Sequence, residues 1–141
     1  MTSLFDPIRI GDIPLSNRIV MAPLTRNRAT GGVPTPMMAE YYAQRASAGL
    51  IVAEGTWPSV TGQAYCRQPG IATARHVEGW RRVTDAVHAR GGCMVLQIMH
   101  GGRIGCHHIK PAGVETVAPS AIRAAGEVFT DSAGIDRKSV V

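Results

Sequence analysis

The chain has 141 residues, enough for one ordinary domain with a core but short of the roughly 250 that a closed (β/α) barrel uses. Its 45% hydrophobic and 18% charged residues are those of a globular chain, and no apolar run approaches the roughly 20 residues that span a bilayer. The net charge of +5 raises nucleic acid as a partner, but the arginines are scattered, only Arg81 and Arg82 are adjacent, and aromatics reach 5%. That pattern argues for no nucleic-acid and no membrane partner.

Residues 1–20 lack a basic start followed by a long apolar core, so the expectation is no signal peptide and a cytoplasmic location. Cys66, Cys93 and Cys106 are odd in number and have no CxxC spacing, and they read as reduced thiols. Residues 5–16 read as a hairpin turning at Gly11-Asp12, because apolar and polar residues alternate on either side. Residues 18–22 form a first buried strand that stops at Pro23, followed by a polar loop over 25–36. Thr35 as N-cap and Pro36 at the first helical position open a helix, with Gly49 as its stop.

The second strand is Leu50–Ala53. Trp80, Val83, Thr84 and Val87 then recur at helical spacing within a helix from about Arg75 to Ala89. Gly91-Gly92 ends that helix, and Met94–Ile98 is the third strand. The strands are continuous apolar runs, as expected where both faces are buried. The order β-α-β-α-β implies a parallel sheet with right-handed crossovers, the opening of a TIM (β/α)8 barrel, so the fold class is α/β. The expected organisation is one unit over 1–141, with barrel strands 1–3 in 1–100 and a loop, lid or tail over 101–141. No helix or strand is expected from Gly101 to Gly134, and the dissimilar ending, residues 136–141, suggests a chain that stops early with non-native sequence.

In this architecture, polar residues at the C-terminal strand ends carry the chemistry. Four blocks lie there or beside them: Ala22-Pro23-Leu24-Thr25-Arg26, Tyr41 to Ile51, Glu54-Gly55-Thr56, and Gln97 to Arg103. In unbroken order over roughly residues 4–120, they resemble the old yellow enzyme family (NADH:flavin oxidoreductases). The likeness is to its N-terminal portion and its bacterial N-ethylmaleimide and alkene reductase branch. The resemblance implies FMN as cofactor and NAD(P)H as reductant. It implies a small activated alkene (an α,β-unsaturated carbonyl or maleimide) or a nitro compound as substrate, in a protein that is monomeric or homodimeric at full length.

The resemblance also assigns residues. Thr25 would tune the flavin by hydrogen bonding the carbonyl next to N5. Ala22, Pro23 and Leu24 would present backbone to the flavin edge, and Gly55 would let a backbone N–H approach closely. Gln97 would serve the pyrimidine edge, as a buried amide that must be bonded. Tyr65 is a substrate contact or a packing tyrosine, and Cys66 a thiol at the pocket rim. Met99 departs from the family's large aromatic and leaves a differently shaped pocket.

Glu54 reads as structural, pairing an arginine, and Arg103 as approaching the cofactor or bracing its loop. His100 reads as a hydrogen-bonded structural residue, and no metal site is expected from His100, His107 and His108. The family's substrate-binding histidine pair and proton-donating tyrosine follow strand four and have no counterpart here, so this chain alone should be inactive. The alternatives are a non-catalytic fragment and the start of a dienoyl-CoA reductase or amine dehydrogenase, which Thr25 disfavours.

Overall fold

The computed structural model describes residues 1–132 and 134–137. The hairpin forms as the alternation predicts: β1 (Ile8–Ile10) pairs antiparallel with β2 (Ile13–Leu15). Gly11 turns it at φ 58°, a conformation glycine adopts without a Cβ penalty. The second sheet is the parallel one. In it β4 (Leu50–Thr56) is central, flanked by β3 (Val20–Met21) and β5 (Met94–Ile98). The register runs Val20 to Leu50, and Ile51 to Met94 through Ala53 to Leu96, with an irregularity between Ala53 and Thr56.

Helices α1 (Pro36–Ala43) and α2 (Ala74–His88) cover one face of this sheet. Met38 and Tyr42 of α1, with Trp80, Val83 and Val87 of α2, pack on Ile51 and Ala53 of β4. All seven are buried. The spacing that located α2 is therefore the stripe that enters the core. Thr73 caps α2 by accepting from the His76 amide at 3.3 Å. Thr35 occupies the N-cap of α1, but its hydroxyl bonds the Arg28 carbonyl at 3.3 Å and leaves the helix amides uncapped.

Gly49 is not the helix stop, since α1 ends at Ala43 and tight turns follow. Its glycine character comes from crowding: a Cβ there would lie 2.1 Å from the Asn17 carbonyl oxygen, and its amide donates to Asn17 Oδ1 at 2.8 Å. Among the described residues, helices cover this sheet on one face only. Val95 is 37% and Ile98 58% exposed, because three parallel strands cannot close around one another as eight do.

From Gly101 the expectation of no strand fails. A hairpin, β6 (Glu127–Thr130) with β7 (Gly134–Arg137), forms around Phe129 opposite Ile135. Four-residue strands give too short a pattern to separate from a loop. The suspected non-native ending lies partly in residues 138–141, outside the described residues. Gly49→Ala should lower stability by about 1–3 kcal/mol, the range for forcing atoms into a packed site. Urea denaturation checks this as a fall in the midpoint with unchanged slope.

Candidate functional site

The three parallel strands end at one edge, and the polar residues of the first blocks gather there. Past β3 the chain runs through Ala22 and Leu24, both exposed, and Pro23 and Thr25, both half-buried. Gly55 is buried at the irregular end of β4, between β3 and β5. A Cβ on Gly55 would meet Met99 Cε at 2.8 Å and Gln97 Oε1 at 3.4 Å, so both side chains lie against it. Gln97 is exposed rather than buried, a correction to the sequence reading. It shares with Val95 the sheet face turned away from the helices, which no further strand among the described residues covers.

Behind this edge lies a buried carboxylate. Glu54 and Tyr42 are at most 1% exposed. The Tyr42 hydroxyl donates to Glu54 Oε1 at 3.0 Å and accepts from the Glu54 amide at 2.9 Å. Glu54 Oε2 accepts the Arg26 backbone amide at 3.1 Å. Glu54 thus ties α1, β4 and the loop after β3 together, and its closest arginine contact is to backbone rather than a guanidinium. Burial raises the Glu54 pKa, opposed by the Arg26 amide, the Tyr42 hydroxyl and the charges of Arg26 and Arg28. Burial first and Glu54 second push the Tyr42 phenol well above its ordinary range, so it stays a donor.

The loop from β4 to α2 supplies the pocket side. Gln68, wholly buried, donates to the Gly55 carbonyl at 2.8 Å and accepts from the Ala64 and Tyr65 amides at 3.0 and 3.3 Å. It fixes Gly55 and Tyr65 relative to each other, and no periodic pattern in the sequence singles it out. Tyr65 is half-buried and lines a cavity of about 330 Å³ with Asn27, Cys66, Ile104 and Phe129. Asn27 has φ 56°, and its buried Oδ1 has no partner among the described residues. Cys66 also lines a larger cavity of about 470 Å³ with Arg67, His108 and Lys110. Burial lowers the Lys110 pKa, which the neighbouring Cys106 opposes.

His100 and Arg103 brace the loop after β5. His100 Nδ1 accepts the Gly102 amide at 3.1 Å, which places the ring proton on Nε2, 3.3 Å from Thr61 Oγ1. Arg103 bonds the Ile122 carbonyl at 3.0 Å and Ser120 Oγ at 2.9 Å. His107 and His108 lie beside Cys106.

The family model for the NADH:flavin oxidoreductase / NADH oxidase family matches residues 3–137. The chain belongs to that family. Among the relatives of this family member, a probable flavin mononucleotide-dependent alkene reductase of Leishmania infantum is 45% identical over 124 residues. That match covers 87% of this chain and 34% of the relative. The rice (Oryza sativa subsp. japonica) 12-oxophytodienoate reductase 1 is 46% identical over 111 residues, covering 78% of this chain and 29% of its own length.

In structure, the old yellow enzyme homologue of Zymomonas mobilis superposes with a TM-score of 0.92 at 48% identity, over 99% of this chain and 39% of that one. Morphinone reductase in complex with tetrahydroNAD gives 0.93 at 43%, over 99% and 40%. The architecture is therefore the N-terminal part of an old yellow enzyme barrel, and the chain spans about a third of the length of the curated relatives it matches.

Because the Glu54 pKa is raised, the folded state binds the extra proton. The contribution of Glu54 to stability is then fully present below its unfolded value near 4.5 and is lost as pH rises through the folded value. Glu54→Gln should remove that slope, so the stability gap between wild type and variant changes with pH; denaturation at several pH values checks it. Gln68→Ala should cost about 1–3 kcal/mol, the penalty for leaving buried partners unbonded, read by the same assay.

Proposed function

We propose that this chain forms one wall of the FMN site of an ene-reductase that uses NAD(P)H to reduce activated alkenes. The carrying observation is that Gly55 and Gln97 lie against each other at the C-terminal ends of β4 and β5, with Thr25 in the loop that leaves the end of the neighbouring parallel strand β3. The residues fit a flavin. Gln97 offers an exposed amide with both donor and acceptor, Thr25 a hydroxyl, and Gly55 a backbone without a side chain beside them. The chemistry FMN supplies when bound is two-electron transfer from NAD(P)H to the alkene.

The chain's own residues bind and orient. Thr25 Oγ1 would donate to the flavin carbonyl next to N5, and so would stabilise charge gained on reduction. Ala22, Pro23 and Leu24 would hold the flavin edge with backbone, and Gln97 would satisfy the pyrimidine edge. Gly55 stays close because Gln68 holds its carbonyl. Tyr65, which lines the cavity of about 330 Å³, would contact substrate, and Met99, packed against Gly55, would shape the space beside the flavin. The alkene-reductase relatives support this branch over a dienoyl-CoA reductase or amine dehydrogenase.

Substrates are α,β-unsaturated carbonyls, maleimides or nitro compounds, in a cytoplasmic monomer or homodimer. Residues 1–141 by themselves are inactive, because the substrate-binding pair and the proton donor follow strand four. Purified protein that carries this segment with the rest of its barrel should be yellow and oxidise NAD(P)H in the presence of N-ethylmaleimide. A colourless protein that takes up no added FMN would refute the reading. Gln97→Ala should weaken FMN binding by roughly tenfold, the worth of about 1–1.5 kcal/mol of hydrogen bonding, measured by quenching of flavin fluorescence.

A further inference from the structure

We infer that Cys106, His107 and His108 form a binding site for a zinc-class divalent cation on the loop after β5. One ligand atom from each, the Cys106 Sγ and a ring nitrogen of either histidine, lie within 4.8 Å of one another. Cys106 Sγ and His108 Nδ1 are 3.9 Å apart, and the two imidazole rings are 3.8 Å between centroids. A tetrahedral ion with bonds of about 2.3 Å to sulfur and about 2.0–2.1 Å to nitrogen sets its donors roughly 3.5 Å apart. Rotation of the exposed imidazoles is what would bring the donors to that spacing.

The turn is already built. The Ile109 amide donates to the Cys106 carbonyl and the Lys110 amide to the His107 carbonyl, each at 3.2 Å. Cys106 is wholly buried, and both histidines are exposed. The thiolate therefore anchors the ion from beneath while the imidazoles close on it from the solvent side. That leaves a fourth position for water. A thiolate with two imidazoles selects zinc-class ions over magnesium or calcium, which take oxygen ligands.

Two features place and tune the site. His108 also lines the cavity of about 470 Å³, so the ion sits at the rim of a space that can admit a further ligand. Lys110 follows on the same turn, with Nζ bonded to Thr116 Oγ1 at 2.9 Å, and its charge opposes a cation. Binding releases the Cys106 thiol proton to solvent as the sulfur–metal bond forms. None of Thr25, Gly55 or Gln97 takes part, so the site stands or falls apart from the flavin reading.

The test is a titration of the reduced, metal-free 141-residue protein with Co²⁺, followed by absorbance. One Co²⁺ per chain should bind with tetrahedral ligand-field bands and a thiolate charge-transfer band, and Zn²⁺ but not Mg²⁺ should displace it. Cys106→Ser should abolish the thiolate band, while Cys93→Ser leaves it intact. His107→Ala and His108→Ala should each weaken binding by at least about tenfold, and Lys110→Gln should tighten it severalfold. The histidine variants keep the buried thiol and so decide the matter even if Cys106→Ser fails to fold. An unchanged titration in those variants, a thiolate band lost with Cys93→Ser, or octahedral spectra alone would overturn the site.

Discussion

The buried carboxylate of Glu54 is the constraint on which this structure turns. A charge taken out of water is tolerated only when its oxygens are bonded. Glu54 meets that demand with the Tyr42 hydroxyl on one oxygen and the Arg26 amide on the other. One side chain thereby locks a helix, the central strand and the loop that carries Thr25. The strand edge in front of it inherits its geometry from that lock.

The rest of the edge is held by the same kind of bonding from the other side. Gln68 ties the Gly55 carbonyl to the Ala64 and Tyr65 amides, so the strand end and the pocket loop move as one. Gly101 continues the tie, its amide bonded to the Gly62 carbonyl at 2.8 Å. A Cβ on Gly101 would lie 2.3 Å from that of Ala64, so the two loops approach closely only because glycine stands there. The site is thus backbone held in place by buried polar side chains, which suits a wall that presents amides to a planar cofactor.

Much of this was legible in the sequence, for identifiable reasons. Trp80, Val83 and Val87 fall at helical spacing, and the apolar runs at Leu50 and Met94 are short and follow glycines, which favours strands. The family blocks pointed to Thr25, Gly55 and Gln97, which lie in the loop past β3 and at the ends of β4 and β5. What escaped was three-dimensional. Gly49 looked like a helix stop, yet its role is contact with Asn17, 32 residues away. Gln68 lies in a loop with no period to read. The pairing of Glu54 with Tyr42 joins residues from two elements that only packing brings together. Gln97 was expected in a buried strand, but its face of the sheet is left uncovered by these residues.

The central claim is that the ends of β3, β4 and β5 present Thr25, Gly55 and Gln97 to one flavin. A crystal structure of the FMN-loaded protein that carries this segment tests it most directly. The account predicts the isoalloxazine against this edge, with Thr25 Oγ1 and the Gln97 amide within hydrogen-bond distance of its polar rim and the Gly55 backbone against the ring. A flavin seated elsewhere, with Thr25 and Gln97 still facing solvent, would contradict it.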